Sequence, residues 1–126
     1  MQMDPVDTAP VMQLFEALTN RDFEAARRLW LDDGTWHLGG SHDLAGDYMP
    51  DDYIEILRGW VEKYPEYTAT DFSMQQFGTD VVAVHLVTTG GRAQGEASGL
   101  LIYRVKDGAI AEGWAIPTSW QGSQPF

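Results

Sequence analysis

Between Val11 and Leu18 the apolar residues Val11, Leu14, Phe15 and Leu18 recur at the i, i+3, i+4, i+7 spacing of one helical face. Thr8 stands where a helix cap is expected and Pro10 falls in the first turn. A second helix is predicted from Asn20 or Asp22, with Phe23, Ala26 and Trp30 on one side, Arg27 and Arg28 towards water, and a stop at Asp32-Asp33-Gly34. The period then changes to two. Thr35 to Leu38 predicts a short strand with Trp36 and Leu38 on one face and Thr35 and His37 on the other. Gly39-Gly40 ends it, and an irregular loop runs through SHDLAGDYMP. A third helix opens at Pro50-Asp51-Asp52, whose carboxylates suit its positive end. Ile54, Leu57, Val61 and Tyr64 form one stripe with Tyr53, Ile56 and Trp60 beside it, an arc broad enough to need cover on more than one side.

From Tyr67 onward the pattern is that of strands. Tyr67 to Phe77 is rich in Thr, Phe and Tyr, Gly78-Thr79-Asp80 turns the chain, and VVAVHLVTT from Val81 to Thr89 is the strongest strand. Gly90-Gly91 marks a hairpin into a strand from Arg92 to Lys106, whose 15 residues would span about 50 Å and are expected to bend at Gly95 and Gly99. Asp107-Gly108 predicts a second hairpin into Ala109 to Ile116, and the tail TSWQGSQPF shows no regular pattern. Three helices, two of them leading, and a long bent sheet in the second half describe an α+β fold in one domain spanning residues 1–126. A sheet curved this strongly wraps around the helices and leaves a cone-shaped cavity.

Composition narrows the partners. With 19 acidic against 8 basic side chains and a formal charge of −11, the chain repels phosphate backbones and anionic lipid, so neither nucleic acid nor a membrane is an expected partner. A neutral or cationic small molecule, or another protein, fits better. Five Trp, five Tyr and five Phe are available to line a pocket. The absence of cysteine excludes thiol nucleophiles, thiolate metal sites and disulfides and is compatible with a reducing cytoplasm, the expected location. No apolar run reaches the ~18 residues of a membrane span, and Met1 to Thr8 lacks the basic and apolar regions of a signal peptide.

The ordered pieces FEALTNRDFEAARRLWLDDGTWH, LAGDY after the glycine pair, the helix from Asp51, VVAVHL, and LLIYRVKDGAIAEGW, together spanning about residues 11 to 116, resemble the nuclear transport factor 2-like superfamily and, within it, the SnoaL-like group related to polyketide cyclases. The resemblance implies a cone-shaped, cystatin-like fold with three helices packed on a strongly curved, mainly antiparallel sheet. It does not by itself imply an activity, because the superfamily's cone hosts isomerases, epoxide hydrolases, dehydratases, cyclases and binders. Where ketosteroid isomerases of this layout place their carboxylate base and their protonated acid, this chain has Leu38 and Leu101. The Asp-Arg-Asp constellation of limonene-type epoxide hydrolases is also missing.

His85 is then the first candidate for moving a proton. It interrupts an apolar strand, where dehydration would lower its pKa and leave a neutral imidazole able to act as a base. The plain alternative is a structural histidine bonded to a neighbouring strand or to a dimer partner. His42 and Asp47, in the loop after the first strand, are further catalytic candidates, with Tyr48 as a pocket hydrogen-bond donor. Their plain alternative is a solvated loop that uses Asp for its turns. Trp36, Leu38, Tyr53 and Trp60 are expected cavity walls, as are Phe72, Leu101, Tyr103 and Trp114, although aromatic residues at such spacings are more often plain core. His37 is expected to face away from the cavity. Glu96 and Glu112 have the parity of edge or outer-face charges. No metal site is expected from His37, His42, Asp43 and His85, whose spacings match no zinc or iron signature, and no serine lies in a Gly-x-Ser-x-Gly context.

The function these readings support is acid–base chemistry without a cofactor: cyclisation, isomerisation or dehydration of an apolar carbonyl or polycyclic substrate in small-molecule, including secondary, metabolism. The alternative is a non-catalytic ligand-binding or accessory protein using the same cavity. Leu100 and Ile102 alternate with Leu101 and Tyr103, so both faces of that strand are apolar, and a homodimer through the sheet is expected.

Overall fold

The computed structural model describes residues 8–39, 44–91 and 95–117. His42, Asp43, the expected strand start at Arg92 and the tail from Thr118 lie outside the described residues. The elements run α1 (Ala9–Thr19), α2 (Phe23–Arg28), β1 (Trp30–Leu38), β2 (Gly46–Tyr48), α3 (Pro50–Lys63), β3 (Thr68–Phe77), β4 (Val81–Thr89), β5 (Ala97–Lys106) and β6 (Ala109–Pro117). The six strands form one sheet in the order β2-β1-β6-β5-β4-β3, in which β1 and β6 are parallel and every other neighbouring pair is antiparallel. This α+β arrangement of three helices on a mainly antiparallel sheet is the fold expected from the sequence. No helix among the described residues is long and apolar enough to cross a membrane.

The helices form where periodicity placed them, with one shift. Val11, Leu14, Phe15 and Leu18 are buried along α1, and Asp22 caps α2 by accepting from the Ala25 N–H at 3.1 Å. α2 stops at Arg28, six residues before the expected Gly34, because Trp30 already begins β1. The Ile110 N–H donates to the Leu29 carbonyl at 2.8 Å and Trp30 pairs with Ile110, so long-range pairing with β6 takes Trp30 to Gly34 away from the helix. A register shift between Trp30 and Thr35 absorbs the irregularity. Arg27 then joins three elements, with Nε 2.6 Å from Asp51 at the start of α3 and Nη2 2.9 Å from Asp32 of β1.

Two further expectations need correction. The loop after β1 contains the short strand β2, which pairs Trp36 with Tyr48 and Leu38 with Gly46. β5 is ten residues long rather than fifteen, Gly95 lies before it at φ +78°, and the register shift in its pairing falls at Arg104/Val105, where Ala111 of β6 is the extra residue, rather than at Gly99. The Asp107-Gly108 turn has φ of +53° and +78°, the paired left-handed geometry of a tight hairpin, as predicted.

The inner face of the sheet carries Trp36 and Leu38 from β1, Val82, Val84 and Leu86 from β4, and Leu101 and Tyr103 from β5, all buried against the helices. α3 contributes Tyr53, Ile54, Leu57 and Trp60 to the same core. The opposite face carries His37, His85, Leu100, Ile102 and Trp114, none of them fully buried.

Candidate functional site

Inside the cone four large rings from three parts of the chain meet. Trp30 and Trp36 come from β1, Tyr53 from α3 and Tyr103 from β5. Trp36 lies 4.8 Å from Tyr53 and 5.6 Å from Tyr103 between ring centroids, and Trp30 lies 5.9, 5.5 and 6.5 Å from Trp36, Tyr53 and Tyr103. Strand alternation sends both tryptophans inward, and the first turn of α3 aims Tyr53 at them. Gly113 on β6 makes the packing possible: a Cβ there would stand 2.6 Å from the Trp36 ring.

The polar atoms of this cluster set it apart from ordinary core. Trp30 Nε1, Trp36 Nε1, Tyr53 Oη and Tyr103 Oη are buried with no hydrogen-bond partner among the described residues. Each such group forgoes its hydration for about 1–3 kcal/mol, and native interiors hold few of them. Burial also pushes the phenol pKa of both Tyr53 and Tyr103 upward, so both are neutral O–H groups at any physiological pH. The indoles can only donate and the phenols can donate. The cluster thus holds four buried donor groups without hydrogen-bond partners among the described residues.

One further ring extends the cluster outward. Phe15 of α1 meets Tyr103 edge-on at 6.2 Å and stacks on Phe72 of β3 at 5.6 Å. Both phenylalanines line a cleft of about 300 Å³ between the end of α1 and the start of β3.

The expected wall residues divide accordingly. Trp36, Leu38, Tyr53, Trp60, Leu101 and Tyr103 are buried on the inner side, and Phe72 lines the cleft while remaining 40% exposed. Tyr48 is half-buried and its hydroxyl is committed, donating to the Leu44 carbonyl at 2.6 Å. Trp114 departs from expectation, because β6 turns it to the outer face, where it stacks on the His37 ring at 5.3 Å. His85 departs as well. It is exposed on the outer face, in register with Ser73 of β3 and Leu100 of β5, so its apolar sequence neighbours do not dehydrate it. Val82, Val84 and Leu86 take the buried face, and His85 shares the other with Ala83 and Val87.

Asp47 also lies outside the cone, in a network the sequence did not foretell. His37 Nδ1 is 2.7 Å from Asp47 Oδ1, His37 Nε2 is 2.7 Å from Glu112 Oε2, and Arg104 Nη2 is 3.1 Å from Glu112 Oε1. Both carboxylates can accept at once only when each ring nitrogen carries a proton, so the arrangement favours the imidazolium form of His37, stacked over Trp114. Partial burial alone would lower its pKa, but the hydrogen bonds to Asp47 and Glu112 outweigh it and the net shift is upward from 6.5. The hydrogen bond from His37, working against burial and aided by Arg104, holds Glu112 below 4.5. His37 faces away from the cavity, as expected. With both nitrogens engaged it is poorly placed to serve as a base.

Sequence reasoning missed Trp30 and Phe15 as members of the site. Trp30 was assigned to the second helix, and Phe15 reads as one core residue among several on α1. The signal that finds Trp30 is its even parity with Trp36 and Leu38, once β1 is extended backwards.

A SnoaL-like domain model matches residues 11–113. Among solved structures, IdmH from Streptomyces antibioticus, a candidate polyketide cyclase, is 26% identical with a TM-score of 0.73 over 88% of this chain and 91% of that one. A candidate polyketide cyclase from Sinorhizobium meliloti shares the fold at 17% identity and a TM-score of 0.70, over 85% and 93% of the two chains. A candidate ketosteroid isomerase from Kribbella flavida does so at 19% identity and a TM-score of 0.69, over 92% and 81%. No curated protein matches. The domain match across most of the chain, with the cone built as described, makes this protein a member of the SnoaL-like domain family.

Proposed function

We propose that the protein is an acid–base enzyme acting on a neutral, apolar carbonyl compound inside the cone, by cyclisation, isomerisation or dehydration. The observation that carries this reading is the buried set of donors on Trp30, Trp36, Tyr53 and Tyr103, which have no partner among the described residues. When a proton leaves the carbon beside a carbonyl, negative charge gathers on the oxygen. Fixed donors in a dry site stabilise that charge more than they stabilise the neutral ketone, which lowers the barrier. Tyr53 and Tyr103 are the principal donors, and the indoles exclude water and hold the apolar frame. His42, a catalytic candidate from the sequence that lies outside the described residues, is the proposed group that moves the proton in place of His85. No cofactor enters this scheme. The name of IdmH, at 26% identity, points to the same class of chemistry.

The second reading is a non-catalytic carrier that uses the same donors to hold an oxygenated ligand, and the exposed position of His85 favours it. In either reading the outer face of β4, β5 and β6 pairs with a second copy, through Leu100, Ile102 and Ile116, the last 44% exposed.

Deuterium exchange into 2-tetralone, followed by NMR in heavy water, separates the readings. The enzyme reading expects the protein to accelerate exchange at the carbon between the ring and the carbonyl, and Tyr103→Phe and Tyr53→Phe each to reduce that acceleration roughly 10²-fold. No acceleration by the wild-type protein rejects it and leaves the carrier.

A further inference from the structure

We infer that the cleft between α1 and β3 is the mouth of the site, that Phe15 is the ring that closes it, and that Phe72 seats the non-reacting end of a flat substrate of two or more fused rings. This rests on the donor cluster being the ligand site. The four donor rings are sealed, with Trp36, Tyr53 and Tyr103 wholly buried and Trp30 nearly so, and a substrate needs a way in. Phe15 is shared: it touches Tyr103 edge-on within the cluster and forms a wall of the cleft outside. On its cleft side it stacks on Phe72 with the planes only 16° apart. Rotating the Phe15 ring away from that stack would open the cleft towards Tyr103, the cluster ring that Phe15 meets edge-on.

Three observations shape what the mouth accepts. Phe72 is a large ring left 40% exposed on the inner face of an edge strand, where a flat ligand can replace Phe15 as its stacking partner. The cleft volume of about 300 Å³ lies at the lower end for small-molecule sites, enough for a ring pair and too small for a bulky, folded molecule. The charges of the cleft balance, with one cation and one anion among its lining residues. Arg21 already directs its guanidinium to the main-chain carbonyls of Leu18 and Tyr67, the residue itself being held at φ +57°, while Asp71 adds a negative charge at the rim. The substrate is thus an elongated, neutral fused-ring compound that enters oxygen first.

Calorimetric titration of phenol, 2-naphthol and naphthalene against wild-type, Phe72→Ala and Phe15→Leu protein tests this. Phe72 is exposed enough for its truncation to leave the fold intact, and Phe15→Leu keeps an apolar side chain in the core. The expected result is that Phe72→Ala weakens 2-naphthol at least ten-fold and phenol less than two-fold. Phe15→Leu is expected to raise the association rate of 2-naphthol several-fold in stopped flow. Equal affinity of wild-type and Phe72→Ala for 2-naphthol, with naphthalene still binding far more weakly, overturns the mouth and leaves the donor site standing. Equal affinity of the wild-type protein for 2-naphthol and naphthalene overturns the donor site. Binding of none of the three overturns both.

Discussion

The indole of Trp36 lies directly on the backbone of Gly113, so close that a Cβ at that glycine would stand 2.6 Å from two of its ring atoms. The neighbouring strand thus acts as a flat floor on which the central ring of the donor cluster rests. Gly113→Ala must lift the Trp36 ring into Tyr53 and Tyr103, and overpacking of this kind costs about 1–3 kcal/mol. Urea denaturation is expected to show that loss, with 2-naphthol binding reduced as well. Wild-type values for both would mean that the ring has room to move.

Tyr103→Phe is expected to pull stability and function in opposite directions. The hydroxyl is buried without a partner among the described residues, so removing it relieves an unsatisfied group and should raise stability by about 1 kcal/mol. The same change removes a donor from the proposed oxyanion site. A variant that is more stable in denaturant yet poorer in 2-tetralone exchange identifies a group kept for its chemistry; a less stable one shows that the hydroxyl has a partner in solution.

His85→Ala is expected to leave exchange activity within two-fold of wild type, because the side chain stands on the outer face. His85→Glu places a charge among Ala83, Leu100 and Val87 and is expected to shift the mass seen in light scattering from that of the proposed dimer towards monomer. Loss of activity in the alanine variant, with the dimer intact, would return His85 to the chemistry.

The His37 network makes stability depend on pH in a defined direction. His37 has its pKa raised on folding, so its contribution is complete below its ordinary 6.5 and is lost as pH rises through the raised value. Glu112 has its pKa lowered, so its contribution is complete above 4.5 and is lost as pH falls through the lowered value. Both are present between about 4.5 and 6.5. His37→Gln is expected to cost on the order of 0.5–1 kcal/mol in that window and progressively less on the alkaline side. Thermal unfolding of both proteins from pH 4 to pH 9 checks the sign, which fails if the gap widens towards alkaline pH.

Local patterns announced most of the elements and few of the meetings between them. The apolar spacing of α1, the Val81 to Thr89 run and the Asp107-Gly108 turn are set by neighbours in sequence, and all three stand as read. The end of α2 was misread because Asp32-Asp33-Gly34 looks like a helix stop, while the parallel pairing of Trp30 with Ile110 that overrides it spans 80 residues. The exposure of His85 was not legible for another reason. Both faces of β4 are largely apolar, so alternation could not say which one meets the helices. Arg104 and Glu112 are opposite because a bulge shifts the register by one; a plain two-residue hairpin would have set Arg104 against Ala111. The aromatic members Trp36, Tyr53 and Tyr103 were legible as inward residues, but their unpartnered donors exist only once three elements close on each other.

The strand order leaves the two rims of the sheet unequally protected. On one side β2 is three residues long and its Asp47 is tethered to His37, which is how proteins discourage uninvited strand addition. On the other, β3 offers ten residues, about 33 Å of main chain, with a single charged side chain, Asp71, and with Phe72 and Phe77 exposed. The rim beside the proposed mouth is therefore also the place where this molecule is most open to self-association by templated β-pairing, and a lysine introduced at Gln75 is the natural guard.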